Sequence, residues 1–316
     1  MHSNFWKKLK RPIMTVAPML GVTDEPFRRM LLKHGRPDVF WTEFVSVDGL
    51  FSRGRAKLLP YLKFVPSEHP IVAQIFGANP DLFEKAAALI KDLGFDGIDI
   101  NMGCPNGDVE KHGAGAALIK NPKLAKEIIR ATKRGAGKLP VSVKTRIGYA
   151  KDQTATWLPV LLKENIAALT VHLRTRNEKF QVPAHWELAK KIVKLRDRLA
   201  PETLIFGNGD VESLTQARDL SKKSGLDGIM IGRGVLENPW FFSKRSPNIR
   251  ERLGSLVKHA EIFDKIGNPR NFNSIKKYFK GYITEFAGAK HLRDRLFRAK
   301  STIEIKKITK DFLKQR

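Results

Sequence analysis

Eight short apolar runs, spaced widely enough for a helix and a return between each pair, predict a (β/α)8 TIM barrel. A change of pattern after residue 242 predicts a small all-α helical domain behind it. The runs are residues 14–17, 39–44, 71–76, 97–100, 141–145, 168–172, 204–207 and 228–231. Their starts lie roughly 24–44 residues apart, room for a loop and a right-handed crossover helix. They are apolar throughout rather than alternating, as parallel strands covered on both faces must be. A doubly wound open sheet is the competing architecture. Its G-x-G-x-x-G fingerprint would fall in the first strand-to-helix turn, which here reads Ala17-Pro18-Met19-Leu20-Gly21. Glycine-rich turns instead follow the last two runs, Phe206-Gly207-Asn208-Gly209-Asp210 and Ile231-Gly232-Arg233-Gly234. Barrels commonly hold a phosphate at that place, on backbone N–H groups and a helix N-terminus.

Amphipathic stretches over 81–93, 122–134, 186–199 and 214–224 supply helices for the gaps. Ser246-Pro247 marks a boundary, dividing the chain into residues 1–245 and 246–316. Beyond it, Ile249, Leu253, Leu256, Val257, Ala260, Phe263 and Ile266 recur at helical spacing. Phe272, Ile275, Phe279, Tyr282, Ile283 and Phe286 do so again, after the break at Gly267-Asn268-Pro269. Ser301 and Glu304 form a capping box for a last helix carrying Ile305, Ile308 and Phe312.

Composition narrows the function classes. The single cysteine excludes an internal disulfide framework, and no Cys/His cluster has zinc spacing, so no metal is expected. No run reaches the ~18 apolar residues of a membrane span, and the N-terminus lacks a secretory segment, so a cytoplasmic protein with no membrane association is expected. A monomer is the default. Of the net charge of +26, residues 246–316 carry +11, from 18 Lys and Arg against 7 Asp and Glu. Charge per residue there is more than double that of residues 1–245, which points to a polyanion, nucleic acid ahead of an anionic membrane surface.

In a barrel the site lies at the C-terminal strand ends. These carry Pro18-Met19, Glu43, Gln74, Asn101 with Cys104, Lys144 with Arg146, and His172 with Arg174, before the two glycine-rich turns. Arg233 adds a bidentate anion contact to the second turn. A cofactor with its phosphate there would meet Lys144, His172 and Gln74. A flavin suits them, because a lysine and an imidazole stabilise the negative charge of the reduced ring near N1 and C2, while Gln74 bonds its polar edge. Each group has a plainer reading: Cys104 as a small buried hydrophobe, Lys144 as a strand-end lysine reaching solvent, His172 as a core histidine on a carbonyl.

Several blocks carry a family resemblance. They are Ala17-Pro18-Met19, Ala73-Gln74-Ile75-Phe76-Gly77, Asp99-Ile100-Asn101-Met102-Gly103-Cys104-Pro105, and Gly113-Ala114-Gly115-Ala116-Ala117-Leu118. Val143-Lys144-Thr145-Arg146-Ile147-Gly148, Thr170-Val171-His172 and the two glycine-rich turns complete the set. The chain resembles the tRNA-dihydrouridine synthases, FMN enzymes that reduce uridine in tRNA with NADPH. The resemblance implies FMN contacts at Pro18, Met19, Gln74, Lys144, His172, Asn208, Gly209, Asp210, Gly232 and Arg233. It also implies a proton donor at Cys104, a uracil contact at Asn101, substrate contacts at Arg146 and Arg174, and tRNA binding by the basic tail. Asn106-Gly107-Asp108 lacks the basic residues that many members carry after the cysteine block, and Leu173 stands where a glycine commonly follows the histidine.

Reducing the uracil C5–C6 bond needs hydride at C6, from flavin N5, and a proton at C5. A thiol with a reference pKa of about 8.5 is protonated at neutral pH and suited to the second task. Two other readings stay open: an FMN-dependent dehydrogenase of a free pyrimidine, which leaves the basic tail unexplained, and a non-enzymatic RNA-binding barrel, which leaves the strand-end ring unexplained.

Overall fold

The computed structural model describes residues 4–243, 245–266 and 270–316. Among them the strands are β1 (Ile13–Val16), β2 (Phe40–Trp41), β3 (Val45–Ser46), β4 (Ile71–Phe76), β5 (Gly97–Met102), β6 (Val141–Gly148), β7 (Ala168–Thr175), β8 (Leu204–Asn208) and β9 (Gly228–Ile231). They pair in the order β1-β9-β8-β7-β6-β5-β4-β2, every pair parallel, with β3 also on β4. A bridge between Thr15 and Val39 returns the second position toward β1, so the sheet curls into the expected barrel.

One strand differs from expectation. The run over 39–44 is two short strands, β2 and β3, with Glu43 between them. Thr42 N still donates to Val72 O at 3.0 Å. The Thr42 hydroxyl then accepts from Gln74 N at 3.2 Å, taking the place of a ladder carbonyl, and donates to Glu43 O at 2.9 Å. The backbone turns aside for one step and Glu43 leaves the ladder.

Between strands run helices whose starts carry their own signals. Pro80–Asp92 is capped by Asn79 and Pro122–Ala136 by Asn121, each with proline at the first position. These two pack side by side so closely that a Cβ at Gly135 would stand 2.0 Å from Glu84 O. The stretch 186–199 begins as a 3-10 turn, Trp186–Leu188, and becomes helical over Ala189–Leu199. Leu214–Ser224 matches its prediction. The sequence reading did not pick out Glu25–His34, capped by Asp24, or Thr154–Leu162, which contains Pro159.

The tail opens with Ile249–Lys265, started by a capping box in which Asn248 and Glu251 exchange side-chain-to-backbone bonds, both 2.9 Å. The expected break at Gly267-Asn268-Pro269 lies outside the described residues. The run expected to be helical over 272–286 is a 3-10 turn, Phe272–Tyr278, continuing into Phe279–Tyr282. Ala289–Phe297 and Thr302–Lys314 complete the tail. Ser301 caps Glu304 N at 3.3 Å as expected, but the Glu304 carboxylate accepts from Lys300 N at 2.9 Å, one residue outside the predicted box.

A single apolar cluster runs from the barrel into the tail. Phe27 stacks on Tyr278 at 4.9 Å between centroids, and Trp240 meets Tyr282 edge-on at 5.6 Å. Polar ties reinforce the seam. Glu43, only 1% exposed, accepts both guanidinium arms of Arg270 at 2.7 and 3.0 Å. Tyr278 donates to Val22 O at 2.7 Å, and Lys277 to Gly21 O. Among the described residues no helix is long and apolar enough to cross a membrane.

Candidate active site

At the C-terminal mouth of the barrel lies a cavity of about 360 Å³. Thirteen of the fourteen residues singled out from the sequence line it: Pro18, Met19, Asn101, Cys104, Lys144, Arg146, His172, Arg174, Asn208, Gly209, Asp210, Gly232 and Arg233. The fourteenth, Gln74, is fully buried and stands behind Asn101 rather than on the wall.

Below the cavity a chain of hydrogen bonds orients this region. Asp99, facing inward from β5, accepts from Ser142 Oγ at 2.5 Å and from Gln74 Nε2 at 2.6 Å. With its NH2 committed to Asp99, Gln74 turns its carbonyl to Asn101 Nδ2 at 3.0 Å. Asn101 Oδ1 therefore faces the following turn and accepts from Gly103 N at 3.1 Å and Cys104 N at 2.9 Å. The cysteine is thus placed by an amide whose own orientation is set by a buried carboxylate. Burial raises Asp99 to about 6, against the pull of the Ser142 and Gln74 hydrogen bonds. Burial also pushes the Cys104 thiol up, so it stays protonated at neutral pH.

The ends of β6 and β7 bring the cations. Lys144 donates to Asn208 Oδ1 at 3.2 Å, and Asn208 in turn donates to Met230 O at 2.8 Å. Burial, with Arg146 adding to it, lowers Lys144 to about 8, close enough to neutrality for its charge to respond to the site. Burial and then the surrounding cations, Arg146 and Lys144 first, hold the His172 imidazole far below its usual value, so it is neutral. Both arginines are engaged by protein. Arg146 donates to Gly103 O at 2.8 Å and Thr175 O at 3.0 Å. Arg174 donates to Val182 O at 2.6 Å and to the Asp210 carboxylate, with His172 Nε2 at 3.3 Å from its guanidinium.

The opposite wall is mostly backbone. Gly209 has φ +136°, and a Cβ there would lie 2.6 Å from Ala184 Cβ, so a side chain is excluded both by conformation and by space. Asp210 accepts from Ala184 N at 2.9 Å and from Arg233 at 2.9 Å besides Arg174. A Cβ at Gly232 would meet no protein atom closer than 4.0 Å, which leaves its backbone open to a ligand. The cavity therefore offers four guanidinium or ammonium groups, a neutral imidazole, accessible backbone and one protonated thiol. Such a set suits an anionic ligand and can supply a proton to a group beside it.

Sequence reasoning missed Ala17, Phe44, Phe180 and Glu237 on the wall. Phe180 is more than half exposed and packs under the Arg233 guanidinium at 4.8 Å. Nothing in its polar loop announces this. Asp99 did carry a signal, a carboxylate inside an otherwise apolar strand. Among the described residues no group of three or more His, Cys, Asp or Glu is arranged to hold a metal.

Residues 15–316 match the family model described as dihydrouridine synthase. A probable tRNA-dihydrouridine synthase 2 of Bacillus subtilis (strain 168) is 43% identical over 318 residues, spanning 99% of this chain and 97% of the relative. A probable tRNA-dihydrouridine synthase of Staphylococcus aureus (strain Mu50 / ATCC 700699) is 42% identical over 318 residues, spanning 99% and 96%. Solved structures sharing the barrel include a variant of NCR from Zymomonas mobilis, with TM-score 0.53, 18% identity and coverage of 74% of this chain and 87% of that one. Morphinone reductase in complex with tetrahydroNAD gives TM-score 0.52, 13% identity and coverage of 77% and 86%. At such identities the two structures speak for the architecture alone.

Proposed function

The chain belongs to the dihydrouridine synthase family of oxidoreductases, and we propose that it reduces uridine in tRNA to 5,6-dihydrouridine with FMN as bound carrier and NADPH as reductant. The observation that carries this reading is the convergence of Cys104, Lys144, His172 and Arg233 on one cavity. FMN, when bound, supplies the hydride. Gly209, Gly232 and Arg233 would hold its phosphate, and Lys144 and the neutral His172 would stabilise negative charge on its reduced ring, with Asn208, Asp210, Pro18 and Met19 as further contacts. Gln74 supports them from below. Asn101 holds the uracil and Arg146 and Arg174 shape its side of the cavity. Cys104 delivers a proton from Sγ to C5, and its raised pKa keeps that proton available.

Residues 1–245 carry the chemistry and the basic residues 246–316 bind the tRNA backbone, as a cytoplasmic monomer without metal. The target base leaves its stack to reach the barrel mouth. Purified protein should be yellow, and with NADPH it should form dihydrouridine in tRNA and leave free uracil and orotate unreduced. A colourless protein, or turnover of free pyrimidine without tRNA turnover, rejects the reading.

A further inference from the structure

We propose that Glu110 and Arg176 form a clasp that positions the Cys104 loop over the cavity, making both of them positioning residues for the thiol. The proposal rests on the reading of Cys104 as proton donor. Cys104 leaves β5 into a loop whose short helical turn, Gly107–Glu110, ends on Glu110. Arg176 directly follows β7. β5 and β7 are not neighbours, because β6 lies between them. Two ties bridge that gap. Arg146, from β6, holds Gly103 O and Thr175 O at once. Beyond Gly103 on the cysteine loop and next after Thr175 on the other segment, Arg176 Nε reaches Glu110 Oε2 at 2.8 Å and Oε1 at 3.0 Å, and its NH2 group meets Oε2 as well.

The pair is built rather than incidental. Glu110 is 9% exposed and Arg176 is 23% exposed at the side chain. The Arg176 guanidinium lies 5.3 Å from the Tyr149 ring centre, and its backbone N donates to Gly148 O at 2.9 Å. A planar fork against a carboxylate fixes distance and direction together, which a flexible ammonium would not do. Asp108, on the same turn, is exposed and pairs only locally with Lys111 at 2.7 Å, so it contributes nothing to the bridge. The near end of the loop is held independently, by Asn101 on Gly103 N and Cys104 N and by Ala116 N on Cys104 O at 3.0 Å. Without the clasp the loop keeps its root and the buried Val109, and loses its tie to the end of β7.

Because Cys104 is the only cysteine, alkylation reports this one thiol. In Glu110→Gln, iodoacetamide at a fixed pH should label Cys104 about fivefold faster or more, since both access and local charge then favour the thiolate. The kcat for tRNA reduction should fall about tenfold, with bound FMN, NADPH-driven flavin reduction and the tRNA KM within about twofold of the parent. The exchanged pair, Glu110→Arg with Arg176→Glu, should restore most of the kcat and slow the labelling back toward the parent rate. Unchanged alkylation in Glu110→Gln overturns the proposal, as does loss of turnover in step with bound flavin and Tm, or an exchange that recovers neither. A parent protein that forms no dihydrouridine would reject the reaction itself, and the alkylation comparison would still decide the clasp.

Discussion

The arginines on β6 and β7 at the barrel mouth and the lysines on the last helix of the tail have opposite habits. Arg146 and Arg174 are nearly inaccessible, and each is bonded to carbonyls or a carboxylate of its own chain. On the last helix Lys307, Lys310 and Lys314 stand exposed along one side. The first group is desolvated, with charges shaped by neighbours and directions set by hydrogen-bond partners. The second is exposed to solvent, fit to exchange counterions with a polyanion whatever its sequence. Positive charge therefore does two jobs here, and changes in the two regions should leave different marks: on turnover and protonation at the mouth, on affinity and salt dependence at the tail.

The sharpest contrast is at the thiol. Cys104→Ala should lower dihydrouridine formation by about 10²–10⁴-fold in single-turnover assays while NADPH still bleaches the flavin. Retained turnover would remove the mouth from proton delivery. At the seam between the regions, Arg270→Met leaves Glu43 buried without its bidentate partner and should cost about 3–5 kcal/mol, read from thermal or urea unfolding. A stability within error of the parent would mean the regions are not locked together by this pair.

Lys144 tests the electrostatic side. A lysine is charged below its pKa and neutral above it, so with Lys144 at about 8 the rate should decline as pH rises through that value. Lys144→Met should be slower by roughly 10²-fold and lose that alkaline limb. A limb that persists assigns it to another group. The mildest change belongs to the tail: Lys307, Lys310 and Lys314 replaced together by Gln should flatten log KM against log salt by about 2 to 3 units of slope, leaving kcat alone. An unchanged slope would place the RNA elsewhere.

The barrel was legible because parallel strands buried on both faces must be apolar, and their ends could then be read in register for the site. The second strand was misjudged because its interruption depends on one hydroxyl, Thr42, bonding a neighbouring strand's N–H, which no local pattern reports. Glu43 looked like one more polar strand end. Its partner Arg270 is 227 residues away, so its role in the seam became visible only with the fold. Gln74 has the right chemistry for a cavity wall but is held behind Asn101 by Asp99. The Glu110–Arg176 pair spans 66 residues of sequence and was likewise invisible. Local chemistry could be read from local residues; the links between strand ends could not.

The apolar seam shared by barrel and tail limits how freely the tail can be exchanged. A tail grafted from a distant relative would meet the surface that Phe27, Trp240 and Glu43 present, and would have to bring counterparts of Arg270, Tyr278 and Tyr282 with it. Recombination of whole modules is therefore a costly route. The exposed lysines, by contrast, can change without touching the seam or the chemistry.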